Sequence, residues 1–267
     1  MKMPENIGRF TWFDDRFYAI PGDELRYFPS STNILGAYPK PFLARWRGDI
    51  GNEAADKKMY DAAHKGTRIH HACECLARGG EVQFQPPFQP VPDVPDCEYF
   101  LLTEQEEMFQ VERFYLMMQE LKPIIKPEEI ELTVYSERYE YAGTLDFLMK
   151  IEEGSYSIAG KTPIKLPSGL YVADIKSGQA SEDHFLQIAS YMKAVEEGDG
   201  PEIAGGLVIY TNADIRTGIE KLKVVYRTRE ELEKDFIAFL NVYAVWKHAN
   251  ATQKPKIRTI PASLKLK

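Results

Sequence analysis

Apolar and polar positions fall into different rhythms in the two halves of this chain. Near the N-terminus, apolar runs at 17–20 and 25–28 flank a Pro-Gly-Asp turn at 21–23, which predicts a β-hairpin. Ser30, Ser31 and Thr32 offer hydroxyls that can cap a helix, and residues 41–47 open on a proline and predict a second short one. Residues 52–77 are composed mainly of good helix formers and predict one long helix, ended by Gly79-Gly80. Residues 83–98, QFQPPFQPVPDVPDCE, hold too many prolines for regular structure and read as a surface loop. Residues 103–121 predict a further helix, with Thr103 and Glu106 spaced as a capping box.

The second half changes rhythm. Residues 129–139, 142–151 and 170–175 are rich in β-branched and aromatic side chains and predict three strands. Residues 154–169 between the last two read as an inserted hairpin or loop. A helix over 181–196, strands over 205–211 and 221–227 and a long final helix over 229–249 complete the pattern. Strands interleaved with helices imply an α/β protein with a mixed central sheet flanked by helices. The expected organisation is one domain over 1–267, with a mainly helical portion containing a β-hairpin over 1–125 and the core over 126–267.

Composition changes this picture little. Hydrophobic residues at 44% and charged residues at 27% suit a soluble globular chain with a sizeable core. No apolar run approaches the roughly 20 residues of a membrane-spanning helix, and the first residues lack a secretory apolar stretch, so a cytoplasmic location is expected. Cys73, Cys75 and Cys97 form no C-x-x-C pair and read as reduced thiols rather than a disulfide framework or an iron–sulfur site. The net charge of −7 argues against a surface that is basic throughout. It leaves room for a basic face, and two clusters offer one: Lys40, Arg45, Arg47, Lys57, Lys58, Lys65 and Arg68, and Lys247, Lys254, Lys256, Arg258, Lys265 and Lys267. Either cluster taken alone reads equally well as a solvated face.

Four short motifs carry the chemistry. Asp174-Ile175-Lys176 ends an apolar strand, and alternation puts Asp174 and Lys176 on one face with Ile175 turned into the core. A carboxylate beside an amine can hold a divalent cation and orient the water it activates, although D-x-K alone also describes a surface ion pair. In Gly143-Thr144-Leu145-Asp146 the acid sits among apolar neighbours, where it is costly to bury without a partner or a metal. Gly143 there marks a bulge or a close backbone approach. Gly66, His70 and Glu74 are spaced four apart and share a helix face; a glycine inside a helix suggests close packing, and a neutral His70 could supply a nitrogen ligand. His71 points elsewhere and reads as structural. Gln187 and Tyr191 share a face of the helix after Lys176, within reach of a phosphate or the backbone near a metal.

Together, G-T-x-I-H-x-x-x-E at 66–74, G-T-L-D at 143–146, D-I-K at 174–176 and Q-x-x-x-Y at 187–191 resemble the RecB-like branch of the PD-(D/E)XK nuclease superfamily. The residues 31–46 also look like that family's lead-in, and the resemblance covers about 30–195. It implies a restriction-endonuclease-like fold and hydrolysis of DNA phosphodiester bonds with Mg²⁺ or Mn²⁺. His70, Asp146, Asp174 and the Ile175 carbonyl would be metal ligands, Lys176 would position or activate the attacking water, and Gln187 and Tyr191 would order the site and contact DNA. Glu137 is a weaker candidate for its outer shell. The lack of four suitably placed cysteines departs from the iron–sulfur relatives, and the lack of a phosphate-loop motif excludes a fused helicase motor of that type. The implied activity is that of a free-standing exonuclease on DNA ends or single strands. A structure- or sequence-selective endonuclease and a non-catalytic DNA-binding protein are the alternatives.

Overall fold

In the computed structural model, β1 (Gly8–Trp12), β2 (Asp15–Ile20) and β3 (Arg26–Pro29) form a small antiparallel sheet. The structure describes residues 7–12, 15–21, 25–85, 99–158, 163–197, 200–212, 222–252 and 255. The predicted hairpin is therefore β2–β3, with one strand added before it; residues 22–24 of its turn lie outside the described residues. Ser30 caps α1 (Ser31–Ile34), its hydroxyl accepting from Asn33 N at 3.0 Å. A 3-10 turn leads to α2 (Pro41–Ile50) and α3 (Asn52–Ala77), which stops before Gly79 at φ 81°, a left-handed backbone that glycine adopts without strain.

The proline-rich stretch is not wholly irregular. Its first two residues belong to β4 (Glu81–Phe84), which pairs in parallel with β5 (Tyr99–Leu102); residues 86–98 lie outside the described residues. Parallel pairing across a long connection leaves no hairpin signal to read. The next helix, α4 (Gln105–Leu121), is capped at Glu104 without a side-chain hydrogen bond, so Thr103 and Glu106 do not form the expected box.

The central sheet is mixed, as the alternating pattern predicts. It contains β6 (Ile130–Ser136), β7 (Tyr141–Ile151), β10 (Gly169–Lys176), β11 (Ile203–Tyr210) and β12 (Lys223–Thr228), in the order β12-β11-β10-β7-β6. Only β10 and β11 run parallel, joined through α5 (Asp183–Glu196). The insert before β10 is a short hairpin, β8 (Gly154–Tyr156) and β9 (Ile164–Leu166). The chain closes on α6 (Arg229–Ala249), started by a capping box between Thr228 and Glu231.

Two cores cover the sheet. On one face α5 and α6 pack against Val134, Leu145, Val172 and Val208; on the other α3 and α4 pack against Phe147, Met149, Ala173 and Ile209. No described helix is long and apolar enough to cross a membrane. Cys73 is a buried thiol, the Cys75 thiol donates to the Glu81 carbonyl at 3.4 Å, and Cys97 lies outside the described residues.

Candidate active site

Register decides which acids meet. The β6–β7 ladder pairs Ile130 with Phe147 and Leu132 with Leu145, which leaves Glu131 opposite Asp146. The β7–β10 ladder ends at Phe147 with Ala173, so the next opposed positions are Asp146 and Asp174. Glu131, Asp146 and Asp174 thus form one row across three neighbouring strands. The row is also where the sheet changes face. Ile130 and Phe147 belong to the core under α3 and α4, whereas Leu132 and Leu145, two residues away, pack toward α5 and α6. Glu131 absorbs that change with φ 54°, a left-handed conformation that costs a side-chain-bearing residue on the order of 1 kcal/mol or more.

Helix α3 brings His70 to the row. Its Nδ1 lies 3.4 Å from Oδ2 of Asp146, and the same oxygen accepts the Ile175 N–H at 2.6 Å. Gly66 permits the approach: a Cβ there would sit 3.0 Å from Oγ of Ser177, just beyond β10. His71, by contrast, is exposed. Donor atoms of His70, Glu131 and Asp146 lie within 4.8 Å of one another, a spacing and chemistry that fit a divalent cation held by one imidazole and two hard carboxylates. Ile175 meets the site through its N–H. Asp174 lies outside that set of three and is turned toward Lys176.

Lys176 is the row's counter-charge. Its Nζ lies 2.5 Å from Oδ2 of Asp174 and donates to Oε1 of Gln187 at 3.0 Å. The Asp174 oxygen is buried and receives charge from Lys176 without a well-directed hydrogen bond. Gln187 Nε2 in turn donates to the Tyr191 hydroxyl at 2.8 Å. Tyr191 can sit there only because position 143 is glycine: a Cβ on Gly143 would come within 2.2 Å of its ring. The four motifs are thereby linked in space.

The electrostatics follow from burying more negative than positive charge. Burial, then the charges of Asp146 and Glu74, push Glu131 up to about 7. Burial and the Asp146 charge likewise raise Asp174 to about 6, against the pull of Lys176. Asp146 goes the other way: burial would raise it, but His70, Lys176 and the Ile175 N–H hold it below its usual value. Burial would lower His70, yet Asp146 and Asp174 outweigh it and raise the imidazole to about 9. Lys176 is raised for the same reason and stays an ammonium.

Glu131 carries no motif, and only register exposes it. The β6–β7 turn closes on the pair Ser136 and Tyr141, and counting five residues back along each strand reaches Glu131 and Asp146. A strand expected to run to residue 139 hides that count. Glu137 lies at the turn, exposed, bound to Arg26 at 2.7 Å, and takes no part in the row. Of the first basic cluster, Lys40, Arg47, Lys65 and Arg68 are spent on Asp183, Asp56, Glu106 and Glu107. Of the second, only Lys247 is among the described residues. In comparison with known proteins, no family model and no curated protein sequence matches this chain.

Proposed function

We propose that this chain is a metal-dependent deoxyribonuclease of PD-(D/E)XK type, built on a restriction-endonuclease-like core. The observation that carries the reading is the row of Glu131, Asp146 and Asp174, with His70 above it and Lys176 at its end. Phosphodiester hydrolysis needs positive charge on the phosphate, an oriented water and a rigid frame for both. A Mg²⁺ or Mn²⁺ ion held by His70, Glu131 and Asp146, with Asp174 beside them, would supply charge to the phosphate oxygens and make water easier to deprotonate. Lys176, kept charged by Asp174 and Asp146, donates hydrogen bonds to the attacking water or to the phosphate. Gln187 fixes the Lys176 ammonium, and Tyr191 fixes Gln187. Exonucleolytic action on ends or single strands is the narrower reading, and it rests on the sequence resemblance.

The test is direct. Purified protein with Mg²⁺ or Mn²⁺ is expected to degrade DNA, and Asp174→Ala and Lys176→Ala are expected to abolish this while remaining folded. Undiminished cleavage by both variants would sink the assignment. A linear duplex, a linear single strand and a closed circular single strand separate the modes of attack, since cutting of the circle excludes a strict exonuclease.

A further inference from the structure

Beside the acid row, toward the C-terminal end of β10, the sheet carries a second polar group that the four motifs do not include. Tyr210 of β11 is the registered partner of Lys176. Its hydroxyl lies 3.1 Å from Nδ1 of His184, in the first turn of α5. A phenol can donate to an unprotonated Nδ1 or accept from a protonated one. Were Nδ1 the donor, the phenol's own hydrogen, on a residue 3% exposed, would lack an acceptor among the described residues. The ring hydrogen therefore sits on Nε2.

Among the described residues nothing accepts that hydrogen. His184 is half-buried, its Nε2 meets no partner among the described residues, and the atom is not sealed from solvent. A purely structural histidine joining α5 to β11 needs only Nδ1. Burial, the charge of Lys176 and that of Lys40 keep the ring neutral, with a pKa near 4 against the opposite pull of Asp183. Asp183 itself is occupied by Lys40 at 2.8 Å and by the Ser181 hydroxyl. A neutral donor in this position can meet an anion without adding a second positive charge against Lys176.

We propose that His184 is a substrate-contacting residue whose Nε2–H donates a hydrogen bond to a phosphate oxygen of the bound strand, next to the bond that is cut. The proposal rests on the nuclease reading above and adds a contact on the β11 side of Lys176. It requires Tyr210 as the group that sets the tautomer.

Two measurements on the full chain test it. Histidine ¹⁵N NMR without DNA is expected to show the His184 hydrogen on Nε2; a hydrogen on Nδ1 would overturn the proposal. Fluorescence anisotropy then measures binding of a labelled single-stranded oligonucleotide, with Ca²⁺ replacing Mg²⁺. His184→Ala is expected to weaken binding about 10- to 150-fold, in the range of a hydrogen bond to a charged group. His184→Gln, whose amide can reach the Nε2 position, should recover most of it, and His184→Asn, which can keep only the Tyr210 contact, should not. Replacing phosphodiesters one at a time by uncharged methylphosphonates should identify one position that weakens the wild type but not His184→Ala. Equal loss by the glutamine and asparagine variants, or no such position, overturns the contact. Wild type that binds the oligonucleotide but cuts no DNA with Mg²⁺ refutes the nuclease reading while His184 is still judged by binding. Wild type that neither binds nor cuts refutes both.

Discussion

Two groups of carboxylates on the central sheet and its helices are handled in opposite ways. Near the end of β12, Arg227 donates to both oxygens of Asp235 at 2.5 and 2.6 Å, reaches Glu182 with its other terminal nitrogen and stacks 4.0 Å over the Phe185 ring. Each acid there has its own guanidinium hydrogen bond. In the acid row, Glu131, Asp146 and Asp174 share one lysine and one histidine, and Glu131 has no ion pair among the described residues. Glu131 also holds the left-handed backbone. The first group is complete within the fold and serves stability. The second keeps unmatched charge and strain, a combination that structures retain where something else is to be bound.

Breaking each group should separate these roles. The largest effect is expected from Lys176→Ala, which should lower the rate of DNA cleavage per folded molecule by about 10²- to 10⁴-fold, with some loss of stability because buried Asp174 loses its counter-charge. Arg227→Met should do the reverse, lowering stability by roughly 1–3 kcal/mol with the rate per folded molecule preserved, since the pair is only partly shielded from water. If Arg227→Met inactivates the folded protein, the contrast fails.

A smaller change should strike stability and site together. Gly143→Ala drives a methyl into the Tyr191 ring and is expected to cost about 1–3 kcal/mol in urea unfolding. Adding Tyr191→Leu should recover much of that stability and none of the activity, because the hydroxyl that steadies Gln187 is gone. Recovery of activity in the double variant would show that Tyr191 is mere filling.

The smallest expected effect concerns pH. Glu131 has its folded pKa raised from 4.5 to about 7, so the folded state binds this proton more tightly than the unfolded chain does. Stability is lost as pH rises from about 4.5 through 7 and stays lost above that. With chelator present, Glu131→Gln should match wild type at pH 4 and exceed it by about 1–2 kcal/mol at pH 8, after allowance for solvent screening of a partly exposed carboxyl. With Mn²⁺ added, the advantage should shrink or reverse. An equal difference at both pH values would show that the unmatched charge is not the cause.

Local chemistry in the sequence determined a good deal by itself. Helix formers bounded by glycines place α3 at Asn52–Ala77, and the last helix falls at Arg229–Ala249, both at the predicted residues. Alternation along a strand puts Asp174 beside Lys176, and glycines at 66 and 143 mark two close approaches between elements at the site. These signals need only the residues within a turn or a pleat. What lies between elements could not be read that way. The bridging of β4 to β5, the absence of a side-chain cap on α4 and the loss of Lys40 to Asp183 each depend on partners far along the chain. The acid row depends on them most: the turn after Ser136 sets the register that brings Glu131 opposite Asp146. Shifted by one residue, the same strand would turn Glu131 to the other face.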